Sequence, residues 1–92
     1  MSQLHANPDD IERFARSFKQ FDTELSIRLA SLKNQFTNLG ATWHDQEYTR
    51  FAQDFQQTVA LLDRFHREAE EDISSLMRKV RILREFLNHE HS

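Results

Sequence analysis

The feature that most constrains this chain is how little in it can break a helix. Its 92 residues contain one proline, Pro8, and one interior glycine, Gly40. Both residues interrupt helices, so two long uninterrupted segments are expected on either side of Gly40. Apolar residues keep helical time in each. Before Gly40, Ile11, Phe18, Leu25, Leu32 and Leu39 recur every seven residues. A second row accompanies them, Phe14 and Phe21 and then Leu29 and Phe36. It steps over by one position, the drift expected of a straight helix read against a strict heptad. After Gly40 the stripe is Tyr48, Phe51, Phe55, Val59, Leu62, Phe65, Ala69, Ile73, Leu76, Val80, Leu83 and Leu87, at steps of three or four residues.

The boundaries follow from capping chemistry. Asn7 can accept a hydrogen bond from the first turn, and Pro8 stands at the first helical position, where its missing N–H costs nothing. Asp9, Asp10 and Glu12 put negative charge at the positive end of the helix dipole. Gly40, just past the last apolar repeat, is expected to adopt a left-handed C-cap. Asp45 is expected to cap the second helix, with Glu47 in its first turn. Arg78, Lys79, Arg81 and Arg84 suit its far end. The spacing predicts helices over about Pro8–Asn38 and Asp45–Asn88, with residues 1–6 and 89–92 frayed. A connection of about six residues makes the two antiparallel neighbours. The expected fold is therefore all-α, a two-helix hairpin with the stripes meeting in a seam.

Length arithmetic points beyond one chain. A first helix of roughly 31 residues spans about 46 Å, against about 64 Å for the second. Measured from Asp45, the first covers the second only to about residue 76. Met77, Val80, Leu83, Phe86 and Leu87 would then lack a partner, which predicts dimerisation into a four-helix bundle. Fraying of the last turns is the alternative.

Composition narrows the function classes. Apolar residues are 38%, charged residues 29%, the net charge is −3, and there is no cysteine. Disulfides cannot supplement the core of so short a chain, and the charge argues against bulk attraction to nucleic acid or membrane. No apolar run approaches the roughly 18 residues of a membrane span. The first residues show neither a basic nor an apolar signal region, so the protein is expected to be made in the cytoplasm.

The corner Leu39-Gly40-Ala41-Thr42-Trp43-His44-Asp45, mid-chain between two helices, resembles that of the WXG100 (ESAT-6-like) family. The mark of that family is a Trp-x-Gly turn. Trp43 matches its tryptophan and His44 its variable position, while Asp45 stands where glycine is usual. Tyr48, Phe51 and Phe55 are similar to the aromatic positions that open the family's second helix. The resemblance implies a hairpin that pairs with itself or with a paralogous hairpin. It also implies a substrate or component of a bacterial type VII (ESX-like) secretion system, released without a cleavable signal peptide. The Tyr-x-x-x-Asp/Glu signal of exported mycobacterial members is missing, because Tyr48 is the only tyrosine and Ala52 follows it by four.

Candidate chemistry is sparse. The turn motif is Gly40, Trp43 and Asp45. Trp43 reads either as an aromatic plug against Leu39 and Phe51 or as a recognition element, since tryptophan is enriched in binding hot spots. The seam and dimer residues are expected to be Phe14, Phe18, Phe21, Leu25, Leu29, Leu32 and Phe36, with Phe51, Phe55, Leu62, Phe65, Ile73, Leu76, Val80 and Leu83. His5, His44, His66, His89 and His91 make no helical ligand pair, so no metal site is expected. The acidic run Glu68, Glu70, Glu71 and Asp72 reads as a solvated face, or as charge that complements the basic cluster of an antiparallel partner. The basic cluster lacks interleaved aromatics, which makes nucleic-acid association a weak alternative. No phosphate loop, nucleophile elbow or cofactor motif is present, so the chain reads as a non-enzyme without cofactors. A helical adaptor or chaperone-like module that stays inside the cell is the other class of function.

Overall fold

The structure is a computed structural model that describes residues 5–91, with side chains through residue 89. It holds two helices, α1 (Pro8–Leu39) and α2 (Gln46–His91), packed as an antiparallel hairpin. Residues 1–4 and 92, part of the segments expected to fray, lie outside the described residues.

The caps form as the residue types dictate. Asn7, in extended conformation at φ −103 and ψ 117, accepts a hydrogen bond from the Asp9 amide at 2.8 Å. Pro8 follows at the first helical position. At the other helix, the Tyr48 amide donates to Asp45 Oδ1 at 3.1 Å. That bond holds the Asp45 carboxyl below its usual range, with smaller help from the Trp43 side chain and the Glu47 amide. α2 runs on to His91, three residues past the expected end.

Gly40 departs from expectation. It is not left-handed: its φ of −62 and ψ of −18 are ordinary right-handed values. The chain simply keeps winding, with Gly40 N–H donating to Phe36 O at 3.2 Å and Trp43 N–H to Leu39 O at 3.1 Å. Proximity explains the glycine instead. A Cβ there would stand 2.6 Å from Tyr48 Oη and 3.3 Å from its Cζ. The absent side chain is what lets the Tyr48 ring lie against the corner.

The continued winding also corrects the overhang. Because the corner climbs with α1, Leu39 shares a groove with Phe51 rather than facing Asp45. The whole of α1 consequently reaches further along α2. Lys33 meets Asp63 at 3.4 Å, and Asp22 meets His66 at 2.8 Å. At the open end Arg84 reaches Glu12 at 2.6 Å and Asp9 at 2.9 Å. Val80 and Leu83, expected to be unpartnered, are 1% and 6% exposed within the single chain. Met77 and Leu87 are half-buried, and of the five only Phe86 is largely exposed.

The seam includes residues that the apolar pattern passed over. In α1 its inner row runs Ile11, Ala15, Phe18, Asp22, Leu25, Leu29, Lys33 and Phe36, moving over by one position after Leu29, where Leu32 and Leu39 are 46% and 40% exposed. Ala15, Asp22 and Leu29 are its buried residues. Phe14 and Phe21 do not belong to that inner row; they lie beside it, 60% and 55% exposed. The drift read from the apolar rows is therefore present, although alanine and aspartate occupy inner positions that an apolar reading passes over. In α2 the inner row is Leu62, His66, Ala69, Ile73, Leu76, Val80, Leu83 and Leu87, all buried or half-buried. Ala15 and Ala69, each 1% exposed, are the small residues that let the helices approach.

Candidate functional site

Each inner row contributes one strongly polar residue to a single contact. Asp22 is fully buried, and its Oδ1 lies 2.8 Å from His66 Nδ1. Ser26 Oγ approaches the same ring nitrogen at 3.1 Å, and Glu70 Oε1 lies 3.3 Å from Nε2. The hydrogen bond to Asp22 raises the pKa of His66 above its ordinary value, with further help from the charges of Asp22 and Glu70. Serine, histidine and aspartate together invite comparison with a hydrolytic triad, but the connectivity is wrong. A relay needs the nucleophile and the acid on opposite ring nitrogens, and here both converge on Nδ1. The cluster is a polar fastening in an apolar seam. Asp22 was not singled out by sequence reasoning; a lone charge at an apolar heptad position is the signal that could have found it.

At the corner, aromatic rings close the end of the hairpin. Phe36 is the hub. It stacks on Phe55 at 4.5 Å and on Tyr48 at 5.6 Å, with Phe51 at 6.0 Å. Trp43, half-buried, sets its edge against Tyr48 at 5.5 Å and lies 6.1 Å from Phe51. The expected contact with Phe51 is present, and Tyr48 is its other ring neighbour. His44 Nε2 sits 3.0 Å from the Ala41 carbonyl oxygen, tying the corner to itself.

The two flanks of the hairpin differ in chemistry. On one, Ser26, Lys33, Asp63 and His66 line one groove and Arg16, Lys19, Glu70 and Ser74 another, each beside apolar side chains. The other is aromatic and aliphatic. Phe14 lies 5.8 Å from Phe18, Phe18 lies 6.3 Å from Phe65, and Phe21 meets Phe65 edge-on at 6.2 Å. Further along, Leu32, Leu39 and Phe51 line one groove. All of these but Phe18 are at least 37% exposed; apart from Leu39, they are among the residues expected in the seam or at a dimer contact. The remaining seam candidates, Leu25, Leu29, Phe36, Phe55, Leu62, Ile73, Leu76, Val80 and Leu83, are buried or half-buried between the helices.

One member of the basic cluster is tied to α1. Arg84 is engaged by Glu12 and Asp9, which raise its pKa, and Arg84 in turn lowers that of Glu12, assisted by Arg16. Among the described residues no group of three or more His, Asp or Glu could hold a metal ion. None of the described helices is long and apolar enough to cross a membrane.

The fold is thus a hairpin of two long helices with an aromatic corner at its tryptophan and one flank rich in exposed apolar side chains. The family model "Proteins of 100 residues with WXG" matches residues 3–84. The chain belongs to the WXG100 family, whose members are non-enzymatic helical proteins that form dimers. No curated protein matches it. The family's glycine position is occupied here by Asp45, whose carboxylate caps α2.

Proposed function

We propose that this protein acts by docking its apolar flank against a second helical hairpin, giving a four-helix bundle that serves a type VII secretion system as substrate or component. The observation that carries the reading is the row Phe14, Phe21, Leu32, Leu39, Phe51 and Phe65, each 37–60% exposed on one side of the molecule. Large apolar patches of this kind mark association surfaces. Surface area supports it. The chain exposes 7436 Å², against about 5,600 Å² for a compact monomer of its mass. The excess exceeds what one partner contributes to a standard interface, about 800 Å².

The partner is a second copy or a paralogous hairpin. Light scattering on the purified chain at micromolar concentration tests the association, and twice the chain mass is expected. Secretion is tested separately. The intact protein should appear in culture supernatant and vanish from it when the secretion genes are deleted. The second reading is an intracellular adaptor or chaperone-like module that holds a helix of a different protein along the same apolar surface. Complete retention in intact cells, with a larger protein co-purifying, would establish that reading in place of export.

A further inference from the structure

The flank away from the exposed phenylalanines carries a groove of about 520 Å³. Sites for small molecules measure about 300–1,000 Å³. Helix geometry keeps the two surfaces apart, since Lys19 follows Phe14 by five residues, about 140° around α1. The groove is therefore present whether or not the hairpin pairs through its phenylalanines.

The residues that line it divide by chemistry. Ala15, Ile73 and Met77 are apolar, and no aromatic ring joins them. Because the helices are antiparallel, Lys19 and Glu70 stand at the end nearer the corner and Met77 at the end nearer the chain termini. Arg16 and Ser74 lie between, with Arg16 turned to Glu12 at 2.7 Å. Among the described residues, neither the Lys19 ammonium nor the Ser74 hydroxyl has a hydrogen-bond or ion-pair partner. A cation and a hydroxyl donor thus face a groove whose other surface is aliphatic.

Glu70 is the one acid that lines the groove, and His66 holds it. Each ring nitrogen of His66 faces a carboxylate, Asp22 Oδ1 at 2.8 Å from Nδ1 and Glu70 Oε1 at 3.3 Å from Nε2. Both contacts are hydrogen bonds only when both nitrogens carry protons. A neutral ring keeps one. Asp22 is fully buried and its Oδ2 has no partner, so losing the Nδ1 proton would leave the whole carboxylate bare. Nε2 is then the nitrogen that deprotonates. Glu70, 54% exposed, meets a lone pair there and is released toward Lys19.

We propose that this groove binds a free aliphatic carboxylate, its head on Lys19 and Ser74 and its chain over Ala15, Ile73 and Met77, and that protonated His66 keeps the site available by holding Glu70 aside. The charges that act on His66 are Asp22 and Lys19 from α1 and Glu70 from α2. Lys33 and Asp63, in the neighbouring groove, are paired with each other at 3.4 Å. Asp22 and Glu70 favour the proton and Lys19 opposes it. Binding is strongest below the folded pKa of His66 and weakens as pH rises through it.

An NMR titration of the nitrogen-15-labelled chain with octanoate is the test. At pH 6 the amides of residues 15–19 and 73–77 should shift saturably. Acetate and octanol, the head and the chain alone, should bind at least about tenfold more weakly. Lys19→Glu should cost a similar factor with the helical circular dichroism unchanged. Affinity should fall severalfold between pH 6 and pH 9, over which octanoate stays ionised, and Glu70→Gln should remove most of that fall. Shifts confined to the phenylalanine flank, octanol binding as well as octanoate, or no saturation at millimolar octanoate would overturn the site. Tighter binding of tri-leucine would assign the groove to a peptide terminus and overturn the acyl reading. A pH dependence that Glu70→Gln leaves intact would overturn the role of His66.

Discussion

A carboxylate with no exposed surface needs a reason to be there, and at Asp22 the reason is one imidazole. Burying two polar groups in a seam weakens it relative to a well-packed apolar pair, but it leaves the pair one acceptable arrangement. Asp22 and His66 therefore fix how α1 and α2 slide past each other. The pair also makes stability depend on pH. The fold raises the pKa of His66 above its unfolded value of about 6.5, so the hairpin binds the proton more tightly than the unfolded chain does. The contribution is complete below the unfolded value and is lost as pH rises through the folded one. The melting temperature should fall between pH 6 and pH 9, and His66→Gln should flatten that slope. A second prediction at this scale concerns Gly40. Alanine favours its right-handed backbone by about 1 kcal/mol, but its Cβ would collide with Tyr48 Oη. Gly40→Ala should lower the melting temperature of the native chain. With Tyr48→Phe also present, the penalty should shrink or reverse, a coupling that a double-mutant cycle measures.

The helices were legible in the sequence because caps and periodicity are local. Asn7, Pro8 and Asp45 each perform the chemistry their types announce. Non-local matters were harder to read. The inner positions Ala15 and Asp22 are hidden in the sequence, because Phe14 and Phe21 outweigh them in any hydrophobic count. The reach of α1 along α2 depended on whether the corner turned back at once or wound on, and no residue type there decides it. Burial now ranks the seam. Leu29, 7% exposed at the centre of α1, should cost about 2–5 kcal/mol when replaced by alanine, read from urea denaturation. The open end is held differently. Glu12, its pKa lowered chiefly by Arg84, contributes stability above its ordinary value of about 4.3. That contribution is lost as pH falls through the folded value. Arg84→Met should therefore lower the melting temperature at pH 7 by more than at pH 3.

As a whole the molecule is a rod of 70 × 18 × 13 Å with a radius of gyration of 20.7 Å. A compact domain of this length would measure about 12 Å. So little interior forces stability onto one seam and leaves the apolar flank dependent on company. Phe14→Lys together with Phe21→Lys should abolish association while leaving the helical content of the hairpin intact. Size-exclusion chromatography with light scattering and circular dichroism separate those two effects. Of the surface candidates, the flanking phenylalanines were visible in the sequence as apolar residues. Their outward direction was not, since it depends on which of two adjacent rows the other helix chooses.

The rod's proportions set a clearance. Its section is that of two helices side by side, each about 10–12 Å across, while its length is 70 Å. Travelling endwise, a single hairpin fits an aperture little wider than 20 Å without surrendering any backbone hydrogen bond. Turned broadside, it would need more than three times that gap. Any machine that handled the chain folded would first have to orient it.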